Sequence, residues 1–223
     1  KYSAFAYYDK TSHHIIYDVG NLKKGSLDKQ DLQVQIVMRV TDAETLLGKI
    51  TTYKNTMNTY RTDGTLVSTS STNTRIKVDS ISKSKGTVSM GSVPFTITVN
   101  PRGEDLLQDS DTLTLVDELS GTMTVDPSSI TITDRNGNQL PSNQWKISIT
   151  KGTDSNSNTL TTMTLVIPDG EKLTIHYNAS IDAPPNTAVT YRNTAYWYGY
   201  KGDSSSFVSD TVSYKADGSF GIG

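Results

Sequence analysis

Most of this chain alternates. Leu32-Gln33-Val34-Gln35-Ile36-Val37-Met38, Phe95-Thr96-Ile97-Thr98-Val99, Thr112-Leu113-Thr114-Leu115-Val116, Ile130-Thr131-Ile132-Thr133, Lys146-Ile147-Ser148-Ile149, Met163-Thr164-Leu165-Val166-Ile167, Leu173-Thr174-Ile175-His176-Tyr177 and Val208 to Tyr214 set branched or aromatic residues against Thr, Ser or other polar residues. Successive side chains of a strand point to opposite faces, so a two-residue period describes a half-buried strand and cannot make an amphipathic helix. Turn dipeptides punctuate the runs: Asp63-Gly64, Asn136-Gly137, Lys151-Gly152 and Asp169-Gly170. Short strands at this spacing predict an all-β sandwich. Helix is signalled only as single turns, at Asp42 to Leu47 and Glu104 to Gln108.

The chain also repeats itself. Thr52-Tyr53-Lys54-Asn55-Thr56, followed by Tyr60 and an Asp63-Gly64 turn, reappears as Thr190-Tyr191-Arg192-Asn193-Thr194, followed by Tyr198 and a Lys201-Gly202-Asp203 turn, at an offset of 193 − 55 = 138. That period is a domain and not a solenoid unit. Upstream, Leu32, Val34, Ile36, Met38 and Val40 match Leu173, Ile175, Tyr177, Ala179 and Ile181 after a three-residue slip. Downstream, Ile76 to Asp79 match Tyr214 to Asp217, and the opening Lys1 to Phe5 can be laid on Lys146 to Thr150. The expectation is that residues 1–80 are the C-terminal part of one sandwich and residues 81–223 a complete second, its strands ending near 217. The boundary falls at Asp79 to Gly86, where Ser and Lys replace the apolar alternation.

Composition removes several classes of function. Lys and Arg number 21 against 23 Asp and Glu, a net charge of −2, so no basic footprint exists for nucleic acid or an anionic membrane. There is no cysteine, which removes disulfides, thiolate metal sites and a cysteine nucleophile. No apolar run is long enough to span a bilayer as a helix. No Ser-His-Asp spacing or phosphate-cradling glycine loop occurs, and the chain is read as no turnover enzyme and as needing no cofactor.

Four segments in order carry a resemblance: Gly91-Ser92-Val93-Pro94-Phe95-Thr96-Ile97-Thr98-Val99, Leu113-Thr114-Leu115-Val116-Asp117-Glu118-Leu119-Ser120, Leu173-Thr174-Ile175-His176-Tyr177-Asn178-Ala179 and Tyr191-Arg192-Asn193-Thr194-Ala195. They resemble successive strands of the immunoglobulin-like, Cna-type Greek-key domains in Gram-positive pilins and collagen-adhesin-type surface proteins, over about residues 77 to 217 and the half-copy before it. What the resemblance implies is an intramolecular isopeptide bond, in which a first-strand lysine amine attacks a last-strand asparagine carboxamide, ammonia leaves, and a mid-domain acid assists. Such chemistry suits a dry core, where burial favours a neutral amine and a protonated carboxyl. Carried over, Asn193 matches the acceptor and Asp117 the acid, with Glu118 on the opposite face of its strand. Lys83 matches the nucleophile; Lys77 is the alternative and Lys85 has similar reach. The competing reading makes Asn193 a buried, backbone-bonded asparagine and Asp117 a turn cap. In the half-copy, Asn55 is the counterpart of Asn193, and its lysine and acid would lie upstream of Lys1.

Other candidates have plainer explanations. Asp134-Arg135-Asn136-Gly137-Asn138 spaces oxygens like a calcium loop, yet the twelfth position is Trp145 and not Glu, so a hairpin turn between Ile130 to Thr133 and Lys146 to Ile149 accounts for it. His13 and His14 would face opposite ways on a strand, and no metal site is expected. Tyr191, Tyr196, Trp197, Tyr198 and Tyr200 form either core and cross-strand pairs or, through Trp197, Tyr198 and Tyr200, a platform for a sugar. The function expected is a stalk or backbone segment of a bacterial cell-surface adhesin or pilus, extracellular and anchored to the cell wall through parts outside this chain. Its partners would be neighbouring domains of the same surface protein or pilus. The alternative is a ligand-binding module that recognises carbohydrate or a host matrix protein.

Overall fold

The computed structural model describes residues 5–18, 34–89, 91–181, 187–201, 206–214 and 220–222. Contacts divide the chain into two compact units, Lys1–Arg39 and Val40–Gly223.

In the first unit, β1 (Phe5–Asp9) and β2 (His14–Asp18) form an antiparallel hairpin. Its turn is made by Asp9, whose carboxylate accepts from the Thr11 amide at 2.9 Å and the Ser12 hydroxyl at 2.7 Å. His13 sits in that turn with a positive φ of 57° and its Nδ1 lies 2.8 Å from the Tyr8 hydroxyl, so the vicinal histidines are divided between turn and strand. The strand expected at Leu32 to Met38 is not formed: residues 34–38 are irregular and exposed, and residues 32 and 33 lie outside the described residues. Alternation is a fit to a pleated, half-buried surface, and residues 34–38 have no ladder on which to realise it.

The second unit opens with α1 (Ala43–Leu46), capped by the Asp42 carboxylate on the Thr45 amide at 3.1 Å. This is the first of the two helical turns that the sequence signals; residues 104–108 contain no helix. Next come a long hairpin, β3 (Thr51–Tyr60) and β4 (Leu66–Ile76), and then the sandwich. Its strands are β5 (Ile81–Lys85), β6 (Ser92–Val99), β7 (Thr112–Ser120), β8 (Met123–Val125), β9 (Thr131–Thr133), β10 (Lys146–Thr153), β11 (Thr159–Pro168), β12 (Leu173–Ile181), β13 (Ala188–Trp197), β14 (Ser206–Tyr214) and β15 (Phe220–Ile222). One sheet runs β10-β11-β7-β13-β14-β15, the other β5-β6-β12-β8, with β9 also on β12, and every pairing is antiparallel. The fold is therefore the all-β sandwich that the alternation predicts. The Ser/Lys-rich stretch read as a boundary is itself a strand, β5, whose inward positions begin with buried Ile81.

The Asp134 segment is a turn, with the carboxylate accepting from the Asn136 and Asn138 amides at 2.8 and 2.9 Å. It does not close a hairpin between its flanking strands, because β9 joins β12 while β10 joins β11. Residues that share an inward parity build one core from both sheets: Val93, Phe95, Ile97 and Val99 on β6; Leu113, Leu115 and Leu119 on β7; Leu173, Ile175, Tyr177 and Ala179 on β12; Tyr191, Ala195 and Trp197 on β13. Leu115 sits fully buried on the central strand of the larger sheet. Leu115→Ala is expected to lower stability by roughly 2–5 kcal/mol, read as a fall in the urea midpoint at unchanged slope.

Candidate functional site

Three fully buried inward positions carry an amine, a carboxyl and a carboxamide. On β7 the series Leu113, Leu115, position 117, Leu119 carries Asp117; on β13 the series Tyr191, position 193, Ala195, Trp197 carries Asn193; on β5 the position after Ile81 carries Lys83. The register explains how the first two meet. Asp117 lies directly opposite Ala195, and Asn193, two residues along the same face, is its diagonal neighbour. Lys83 arrives from the other sheet, on β5 at its edge, and points across the sandwich.

The Lys83 Nζ donates to Asp117 Oδ1 at 2.6 Å, and both side chains are fully withdrawn from solvent. The Nζ also donates to the Tyr177 hydroxyl at 3.1 Å. Tyr177, inward on β12, donates in turn to Asp117 Oδ2 by a short hydrogen bond. The Asn193 Nδ2 donates to the same Tyr177 oxygen at 2.6 Å, while Asn193 Oδ1 is buried without a hydrogen-bond partner. Aromatic rings wall the cluster: Nζ lies 5.3 Å from the Phe95 centroid and 5.4 Å from that of Tyr177, and the two rings stack at 5.4 Å. These faces offer the cation a further electrostatic contact.

Electrostatically the site works against the lysine charge. Burial pushes the Lys83 amine below its ordinary range, partly opposed by the attraction of Asp117 and its hydrogen bond. Burial, reinforced by the neighbouring Asp117, pushes the Tyr177 phenol well up, so it stays protonated. Burial thus biases the amine toward its neutral form, beside the Asp117 carboxyl group and the Asn193 carboxamide in one solvent-inaccessible pocket.

The structure brings together Lys83, Asp117 and Asn193 and leaves the other sequence candidates outside. Lys77 is 40% exposed and pairs with Asp79 at 3.1 Å, so the alternative lysine is a surface residue. Lys85 ends β5, half-buried. Glu118 faces away, accepting from the Tyr196 hydroxyl at 2.7 Å and pairing with Lys201 at 2.5 Å. The proposed aromatic platform is divided. Trp197 is 1% exposed with its Nε1 donating to Ser80 Oγ at 2.8 Å; an inward position on the last core strand has buried the ring that would have stacked on a sugar. Tyr200 packs against the core and only Tyr198 is exposed. Among the described residues no cluster of three or more metal-ligating side chains occurs. Tyr177 was missed by the sequence reading because an inward tyrosine in Leu173-x-Ile175-x-Tyr177 looks like ordinary core; its hydroxyl facing polar groups on the opposite sheet is visible only in the assembled sandwich.

Comparison with known proteins adds a likeness of shape. No family model and no curated protein sequence matches the chain. The structural neighbours are Gram-positive collagen-adhesin and pilin domains. The collagen-binding domain from a Staphylococcus aureus adhesin is 17% identical at a TM-score of 0.40, over 58% of this chain and 95% of that one. The Corynebacterium diphtheriae major pilin SpaA, whose isopeptide bonds are described as stabilising a modular pilus assembly, is 15% identical at 0.40, over 62% of this chain. The collagen-binding domain of Erysipelothrix rhusiopathiae surface protein RspB is 10% identical at 0.41, over 70% of this chain. The chain spans 40% of the pilin and 56% of the RspB structure.

The pairing predicts a sharp contrast between lysines. In an Asn193→Ala chain, where Lys83 and Asp117 keep each other, a further Lys83→Ala strands a buried carboxylate and should cost about 3–5 kcal/mol. Lys77→Ala in the same chain should change stability by no more than about 0.5 kcal/mol, both read by urea unfolding.

Proposed function

We propose that residues 81–223 form a load-bearing stalk module of an extracellular bacterial surface adhesin or pilus, locked by an isopeptide bond between Lys83 and Asn193. The observation that carries this reading is the burial of an amine, a carboxyl and a carboxamide in one solvent-inaccessible cluster that joins the first strand of the sandwich to β13. The order of strand motifs resembling pilin and collagen-adhesin domains supports the same assignment.

The chemistry balances within these groups. The Lys83 ammonium gives a proton to Asp117, leaving a neutral amine and a neutral acid. The amine nitrogen attacks Asn193 Cγ, the new C–N bond forms, the bond to Nδ2 breaks, and a proton from the attacking nitrogen leaves with Nδ2 as ammonia. Alignment in the folded core supplies what an amide otherwise lacks as an electrophile. The product replaces two buried charges by an amide and a protonated carboxyl, which suits the desolvated site.

The bond would close a loop of 193 − 83 = 110 residues. By the loop-entropy relation used for disulfides, this contributes roughly 4–5 kcal/mol. For a stalk the larger effect is mechanical, since a covalent tie from the first strand of one sheet to an interior strand of the other resists the separation of the two sheets. With no cysteine in the chain, a lysine–asparagine link is the kind of staple such a module has available.

We further propose that residues 1–80 supply later strands of a preceding, similar sandwich, so that the module's natural neighbours are domains like itself. Hairpins at the repeat positions support this. The 145-residue offset from Lys146 to Lys1 lays β10–β11 on β1–β2, and the 138-residue offset lays β13–β14 on β3–β4. Intact-mass spectrometry tests the cross-link: the wild-type chain should be one ammonia lighter than its sequence, and Asn193→Ala and Asp117→Ala should have their plain sequence masses and melt lower. A wild-type mass equal to the plain sequence overturns the cross-linked reading.

A further inference from the structure

The Tyr177 hydroxyl is the one atom that touches every group of the cluster. It accepts from Lys83 Nζ at 3.1 Å and from Asn193 Nδ2 at 2.6 Å, and it donates to Asp117. Asp117, by contrast, receives Lys83 on one oxygen and Tyr177 on the other, and the hydroxyl stands between it and the Asn193 nitrogen. The two nitrogens that exchange places in the amide are thus both hydrogen-bonded to one phenolic oxygen.

We infer that Tyr177 is a catalytic residue of the cross-linking reaction, carrying the proton from the attacking nitrogen to the departing one. This rests on the Lys83–Asn193 bond proposed above. When neutral Lys83 has attacked Cγ, its nitrogen is cationic and must lose a proton, while Nδ2, now pyramidal with a free lone pair, must gain one. The Tyr177 oxygen takes the proton from Nζ as its own O–H turns from Asp117 to Nδ2. The C–Nδ2 bond then breaks, ammonia leaves, the carbonyl re-forms, and Tyr177 ends as it began. A hydroxyl suits this step because it accepts and donates at one atom. Buried with its proton held on, it passes charge through without becoming an anion. The ring is clamped by stacking on Phe95, which keeps the oxygen at the crossing point.

The test follows freshly made chain, since a mature one has already reacted. Wild type, Tyr177→Phe and Asn193→Ala are produced by cell-free synthesis and sampled over time by intact mass. Tyr177→Phe keeps the ring and its packing, and should melt within a few degrees of Asn193→Ala while losing ammonia at least roughly 100-fold more slowly than wild type, the ordinary worth of a positioned acid–base group. Ammonia loss by Tyr177→Phe at the wild-type rate overturns the role of Tyr177 and leaves the cross-link intact. No loss in wild type overturns the cross-link itself, and Tyr177 with it. Should Tyr177→Phe fail to fold, 3,5-difluorotyrosine at position 177 decides: it keeps the hydroxyl and the shape but makes the phenol more acidic, so a changed rate supports the relay and an unchanged rate overturns it.

Discussion

A lysine ammonium fully buried against an aspartate is the feature around which this sandwich is arranged. Removing two ions from water costs several kcal/mol each, and mutual attraction offsets that only when the remaining donors and acceptors are met. Here the second carboxylate oxygen is taken by Tyr177 and the ammonium has two oxygen partners over two aromatic faces. A pair of well-packed apolar residues would serve equilibrium stability about as well. Equilibrium stability alone therefore does not account for the charges at the centre of this core, whereas the proposed cross-link would.

The position of Lys83 and Asn193 in the topology would give the proposed cross-link a mechanical meaning. Lys83 lies on β5, at the edge of one sheet, and Asn193 on β13, inside the other. Edge strands are held by one ladder only and are the ones most readily lost. The proposed bond would reach from the edge strand of one sheet to an interior strand of its partner and so act across the core. There the two sheets are otherwise joined by side-chain packing and a few hydrogen bonds, such as that from the Thr161 hydroxyl on β11 to the Met123 carbonyl on β8 at 2.7 Å. β13 is itself flanked on both sides, by β7 and β14, so the anchor point sits deep in a ladder.

Much of the sandwich is legible in the sequence, because β6, β7, β9, β10, β11 and β12 each write their burial as a two-residue period. Where the period fails to predict, the reason is environment. Residues 34–38 alternate as well as any strand but have no ladder, and β5 does not alternate visibly because its inward series includes lysines. Lys83, Asp117 and Asn193 became candidates through the resemblance of the strand motifs, and the Ser/Lys-rich composition of β5 left Lys77 open as an alternative to Lys83. Trp197 and Tyr177 failed for the opposite reason. Both are aromatic residues at inward positions, and sequence cannot say that the indole ends on Ser80 while the phenol ends on Lys83, Asp117 and Asn193.

The repeat shows how little of the site resides in the local motif. Thr-Tyr-x-Asn-Thr occurs on β3 and on β13, and each copy forms one strand of an antiparallel hairpin. On β13 the asparagine is fully buried and donates to Tyr177; on β3 Asn55 is exposed, as is nearly all of its hairpin. The motif thus encodes strand and pairing, while the polar surroundings of Asn193 come from the opposing sheet, which supplies Lys83 and Tyr177, and from the neighbouring strand, which supplies Asp117. A carboxamide in water is inert toward a charged amine. What distinguishes these two asparagines is the second β layer closed over Asn193; if the proposed cross-link forms, completion of the fold would be its trigger and would confine the bond to domains that have already folded correctly.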